Sequence, residues 1–220
     1  MTLLLPVVLS AHWDTVPSSP GTNDNGSGVV ALLEIARILS GSKPKNSIIF
    51  AFFDKEEVGC EGSKAFVRQF VVPLIVGEFG GTLQGVYNLD TILSFTSQPH
   101  TQELDPSWEK IDKNLVKRMK KNDLRGDFIM TVGRNTSEDL LLATTFAKHL
   151  EGYTVHHLKV SPRRLTSVDL TCQVGDFSHR QPDRRVLADN LFAVRSDQVR
   201  FWYYQEQQVR PSRVSLTLSI

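Results

Sequence analysis

Residues 47–63 read SIIFAFFDKEEVGCEGS: an apolar and aromatic run from Ile48 to Phe53 that stops abruptly at Asp54, Lys55, Glu56 and Glu57. Six consecutive apolar residues between polar boundaries suit a strand buried on both faces, as in the mostly parallel sheet of an α/β domain. Gly59, Gly62 and Ser63 then turn the chain into a new amphipathic run. Open sheets of this kind bind ligands in the crevice at the strands' carboxyl ends, which is where Glu56 and Glu57 emerge. An adjacent glutamate pair alone is most often a solvated acidic loop. A metal ion with its water would suit both side chains, one holding the metal and the other moving a proton.

The flanking sequence repeats the strand-and-helix alternation. Residues 4–11 read as a strand that stops at His12-Trp13-Asp14. Residues 15–28 (TVPSSPGTNDNGSG) are dense in Pro, Gly, Ser and Asn, so they form a loop of special backbone geometry. From Val29 the pattern VVALLEIARIL is helical, with Val29, Leu32, Leu33, Ala36 and Leu39 expected on one face, and Gly41 and Pro44 close it. A short helix is expected over 64–70, then a strand over 81–90 (GTLQGVYNLD) ending in Asp90. This is the grammar of parallel crossover units, and it predicts a three-layer αβα architecture with a mostly parallel mixed sheet and flanking helices. Further on, 108–125 has Ile111, Leu115, Val116 and Met119 at helical spacing, and its lysines read as a solvated face. A strand at 126–132, a helix capped by Ser137 and running to about Leu150, a strand at 153–160 and a last strand at 213–218 complete the expected elements.

The totals bound the function classes. A chain of 220 residues fits one α/β domain, read here as 1–220 with a poorly matched insertion around 94–125. With 40% hydrophobic and 22% charged residues and a net charge of +1, nothing favours nucleic acid or an anionic membrane as partner. Cys60 and Cys172 form neither a disulfide framework nor a zinc-finger spacing. No apolar run reaches the length needed to span a bilayer. Residues 1–10 lack a basic region and contain Pro6, so they read as a buried strand and not a secretory signal.

Taken together, predicted strands end in His12 with Asp14, in Glu56 with Glu57, and in Asp90, while Asp24 sits in the Gly-rich loop that opens the first helix. Chance easily places one acid at a strand end, but much less easily places ligand types at three successive ends. Nitrogen and oxygen donors without thiolate suit zinc, with manganese or cobalt as alternatives. The motifs HWD, TNDNGSG, DKEEVGCEGS and NLD, in that order and spacing, resemble the M28 family of zinc aminopeptidases. The resemblance covers roughly the first ninety residues, with GDFIMTVG and RSDQVRFW related beyond them.

That resemblance implies a zinc-exopeptidase (phosphorylase/hydrolase-like) fold, peptide substrates, and release of N-terminal residues. It implies that His12 and Asp90 hold a first zinc, that Asp24 bridges two ions, and that Glu57 holds the second. Glu56 becomes the general base, and Asp14 supports the His12 ring so that its other nitrogen faces the metal. It also implies a cis peptide at Asp24–Asn25, with Gly26 and Gly28 leaving room for the turn. One position departs from the family pattern: Gln198 stands in Ser196-Asp197-Gln198 where the family has its last histidine ligand. His179, in DFSHR, is an alternative imidazole; His100, His149, His156 and His157 are weaker candidates, the last two facing opposite sides of a strand. Against the family the chain is short at both ends, as in a truncated form, and a sheet lacking strands would show an exposed edge. Two other readings accompany the aminopeptidase: a catalytically impaired relative acting as an interaction module, and a single-zinc glutaminyl-cyclase-like transferase, whose counterpart loop usually lacks the Asp-Asn. Cys60 reads as a small packed thiol. Nothing in the chain directs export, although members of the family are often secreted or vacuolar.

Overall fold

The computed structural model describes residues 5–104, 109, 112–150, 152–160, 196–198, 200–201 and 215–219. Its centre is a six-stranded sheet of β1 (Val7–His12), β2 (Ile48–Phe53), β3 (Gly85–Leu89), β4 (Phe128–Arg134), β5 (Thr154–Val160) and β6 (Ser215–Ser219). The spatial order is β2-β1-β3-β6-β4-β5. All neighbours run parallel except β4 and β6, so the sheet is mixed and mostly parallel, as predicted. β2, at one edge, pairs only with β1 among the described residues.

Alternation along the central strands divides the core between two faces. Val8, Ala51, Phe53 and Val86 point to one side, where Val67, Val71, Ile75 and Phe201 cover them. Leu9, Ala11, Phe50, Tyr87 and Leu89 point to the other, under α1 (Gly28–Leu39) and α4 (Ser137–His149), through Leu32, Ala143 and Phe146. Helices therefore flank both faces. No helix among the described residues is long and apolar enough to cross a membrane.

Several expected boundaries shift for identifiable reasons. α1 turns Leu32 inward with Val29, Ala31 and Ile35, and leaves Leu33 54% exposed, so Leu33 is not on the core face. The first residue of the helix lies close against the end of β3: a Cβ on Gly28 would meet Leu89 O at 2.7 Å. The helix expected over 64–70 starts earlier, as α2 (Glu61–Phe66), and continues in wider turns over Val67–Glu78. Pro73 lies inside that segment and removes a backbone donor, yet Val67, Val71 and Ile75 at four-residue spacing bury enough apolar surface to carry the chain past it. The Lys-rich helix is α3 (Lys113–Lys121), capped by the Asp112 carboxylate, with Leu115, Val116 and Met119 buried; Ile111 lies outside the described residues. Thr136, not Ser137, caps α4: its hydroxyl accepts from the Asp139 N–H. The strand predicted at 81–90 is confined to Gly85–Leu89, which leaves Asp90 just beyond its end.

The reassigned face of α1 is directly testable. Leu32→Ala removes a fully buried side chain and costs about 2–5 kcal/mol. Leu33→Ala stays within about 0.5 kcal/mol of the parent. Denaturant unfolding of both variants gives the comparison, and equal losses would contradict the helix orientation.

Candidate metal centre

β1 ends in His12, whose ring is 1% exposed, and β3 delivers Asp90 beside it because the two strands are hydrogen-bonded neighbours. The two ring nitrogens have different surroundings. Nδ1 lies 3.1 Å from the Asp14 backbone oxygen and 3.5 Å from the Asp14 carboxylate. Nε2 lies 3.3 Å from Asp24 Oδ1 and 3.6 Å from Asp90 Oδ1. Ligand atoms of His12, Glu56 and Asp90 all fall within 4.8 Å of one another.

The support for the ring comes mainly from the backbone of Asp14, while its carboxylate has a second task. Asp14 Oδ1 accepts the Glu56 N–H at 3.0 Å, and Oδ2 accepts the Glu57 N–H at 3.1 Å. One side chain therefore fixes the start of the loop that presents both glutamates. Left-handed backbone at Lys55 and Cys60 brackets that loop. The Cys60 thiol is buried and lies 3.9 Å from Glu56 Oε1.

Asp24 is placed by the residues around it. The Asp24–Asn25 peptide is cis, as the resemblance implies. Asn25 is buried; its Nδ2 donates to Leu89 O at 2.8 Å, and its Oδ1 accepts from the backbone N–H of Gly28 and of Thr91. Asn23 Oδ1 accepts from the Leu93 N–H and Ser27 Oγ accepts from the Ile92 N–H. These bonds stitch the loop to the segment that follows β3, and so tie Asp24 to Asp90. The anchoring roles of the Asn25, Asn23 and Ser27 side chains were not expected from the sequence, where Asn25 stood out only for the cis peptide. The available signal was their position beside Asp24 in a stretch rich in residues whose short side chains bond nearby backbone.

Burial and crowded carboxylates set the electrostatics of the cluster. Burial opposes a charge on His12, but Asp24 and Asp90 at its Nε2 overcome this and raise it to about 11. Burial pushes Glu56 up to about 9, with Asp90, Asp197 and Glu57 adding to the rise and His12 opposing it. Burial also raises Glu57, reinforced by Asp24. Asp197 is pushed up to about 7 by burial, against the pull of the Ser63 hydroxyl and His12. Carboxylates concentrated out of water favour protons or a cation. Two donors on one tetrahedral ion, with bonds of about 2.0–2.2 Å, stand about 3.3–3.6 Å apart. The donors around His12 Nε2 have these separations, so the residues present fit a divalent cation.

Other histidines are placed differently. The His156 ring packs on Phe128, and burial lowers its pKa. His149 Nδ1 contacts Thr145 O on the surface of α4. Gln198 is buried, 2% exposed. His179 lies outside the described residues.

The chain is 48% identical over 61 residues to aminopeptidase YwaD of Bacillus subtilis, a match covering 28% of this chain and 13% of that protein. It is 47% identical over 62 residues to a vacuolar membrane protease of Candida albicans, covering 28% of this chain and 7% of the relative. The lipoprotein aminopeptidase LpqL of Mycobacterium tuberculosis, described as probable, is 44% identical over 73 residues, or 32% of this chain and 14% of its own length. These matches therefore span only a small part of the relatives' length. Among solved structures, the zinc aminopeptidase BSAP of Bacillus subtilis superposes with a TM-score of 0.56 at 22% identity, over 98% of this chain and 36% of that one. Legionella LapA gives a TM-score of 0.54 at 18% identity, over 98% of this chain and 41% of its own. The model of peptidase family M28 matches residues 5–139, more than half of the sequence. The chain belongs to peptidase family M28.

Proposed function

We propose that this chain carries the metal centre of a zinc-dependent aminopeptidase that hydrolyses the N-terminal peptide bond of its substrates. The observation that carries the reading is the His12 ring, buried and oriented, with Nε2 between the carboxylates of Asp24 and Asp90 at 3.3 and 3.6 Å. The family and the similarity to aminopeptidases and to a zinc aminopeptidase support it.

His12, Asp24 and Asp90 would hold the first zinc, and Asp24 with Glu57 a second. When bound, zinc supplies Lewis acidity, polarising the scissile carbonyl and lowering the pKa of water from about 15.7 toward about 7. Glu56 takes the proton from the attacking water and returns it to the departing amine, which requires a carboxylate whose pKa lies above the ordinary range. Its burial beside Asp90, Asp197 and Glu57 acts in that direction. Asp14 holds the Glu56 and Glu57 amides, and so keeps the proton carrier at a fixed distance from His12.

A second reading rests on Gln198. A neutral amide oxygen is a weaker zinc ligand than imidazole, which favours a relative that holds one ion tightly and has impaired turnover. Gln198→His separates the two readings: gain of a second retained zinc together with faster hydrolysis of an aminoacyl anilide marks Gln198 as the limiting position. An unchanged zinc content and rate would remove the argument for impairment.

Two further outcomes are expected. Glu56→Gln retains its zinc through dialysis but loses turnover by about 10²–10⁴; a variant as fast as the parent would exclude Glu56 as the base. In the metal-free protein, Glu56 and His12 both titrate above their unfolded values of 4.5 and 6.5, at about 9 and about 11. The folded state therefore binds the extra protons, and stability contributed by these groups declines as pH rises between those limits. Zinc needs the same groups deprotonated, so its stabilisation grows with pH. Thermal melts from about pH 5 to about pH 9 should show the metal-free Tm falling and the zinc-induced gain in Tm increasing. A zinc effect independent of pH would contradict the assignment.

A further inference from the structure

Directly beneath the site lies a buried polar chain. Ser10 Oγ donates to Asn88 Oδ1 at 2.8 Å, and Asn88 Nδ2 donates to Ser196 Oγ at 2.7 Å. All three side chains are buried. Ser10 and Asn88 are paired residues of neighbouring parallel strands. Ser10 precedes His12 by two positions, as Asn88 precedes Asp90, so the lower pair is hydrogen-bonded and the upper pair lines the metal centre.

An asparagine in the interior of a strand is unfavourable by propensity, and burying its amide is costly unless both ends are paired. Here both ends are used: the oxygen accepts from one hydroxyl while the nitrogen donates to the other. The segment it holds is also anchored elsewhere. Phe201 packs against Phe53 and Phe66, and Arg200 donates through Nη2 to Gly59 O, on the glutamate loop. Those contacts hold the far end of the segment, whereas the Asn88–Ser196 bond acts at the end that carries Asp197 and Gln198. Asp197, next to the hydrogen-bonded Ser196, is fully buried, and burial together with the neighbouring Asp90 and Asp14 raises its pKa.

We infer that Asn88 is a positioning residue that latches Ser196 to the strands carrying His12 and Asp90, and thereby sets the adjacent, buried Asp197 as one wall of the metal site. The role of that wall rests on the zinc reading above; the latch does not.

The test is Ser196→Ala, which breaks the Asn88–Ser196 bond and leaves Ser10–Asn88 intact, with Ser196→Thr as the variant that keeps a hydroxyl. Hydrogen–deuterium exchange of the 196–201 amides is measured on metal-free protein, and zinc affinity by competition with a chelator. Ser196→Ala should speed exchange about tenfold, as expected for loss of one buried hydrogen bond. It should also weaken zinc binding about tenfold, the lower end of the range for residues that orient ligands. Ser196→Thr should return both toward the parent. Unchanged exchange in Ser196→Ala overturns the latch; faster exchange with unchanged zinc affinity overturns the wall. If the parent binds no zinc, the metal reading fails and exchange alone decides the latch. Should Ser196→Ala not fold, Ser196→Cys, close in volume and a poorer acceptor, carries the same expectations.

Discussion

An imidazole shut away from water between two carboxylates is the arrangement on which the rest of the site depends. His12 cannot rotate away, because Asp14 holds one ring nitrogen and the packed sheet encloses the ring. The other nitrogen therefore faces Asp24 and Asp90, and Glu56 of the glutamate loop lies close to His12 and Asp90. Such a concentration of negative charge is tolerable when a proton or a cation neutralises it. Every neighbouring feature follows from holding these donors in place without one another's repulsion opening the site.

The α/β architecture supplies that rigidity from parallel strands. β1 and β3 are hydrogen-bonded to each other, so the residues at their ends arrive together with no loop needed to bring them. Asp24 belongs to a loop, and the asparagine beside it compensates by bonding Leu89 O, Thr91 N–H and Gly28 N–H at once. Asp14 performs the same service for Glu56 and Glu57 through their backbone amides. Asn25 and Asp14 thus anchor, through hydrogen bonds to the backbone, the segments that carry Asp24, Glu56 and Glu57.

Much of this was legible from residues 1–90. The apolar runs ending in acids gave the parallel sheet and its crevice, because a strand buried on both faces has few other sequence forms. The motif order pointed to His12, Asp24, Glu56, Glu57 and Asp90; the structure sets His12 beside Asp24, Asp90 and Glu56, and the Asp24–Asn25 peptide is cis. What periodicity could not supply was rotation: Leu33 and Leu32 are adjacent and equally apolar, and the structure turns Leu32 to the core where Gly28 sits close against Leu89 O. Nor could it extend a helix past Pro73, where burial of Ile75 outweighs a local rule. The dual role of Asp14 was hidden because a carboxylate's partners here are backbone amides forty residues away, which no sequence pattern records.

Convergence of His12, Asp24 and Asp90 on one cation is the central claim, and anomalous diffraction from a zinc-soaked crystal at the zinc absorption edge tests it most directly. The account predicts a peak within about 2.0–2.2 Å of His12 Nε2 and of a carboxylate oxygen of Asp90. A zinc-loaded crystal with its anomalous peak elsewhere, and none beside His12, would contradict it.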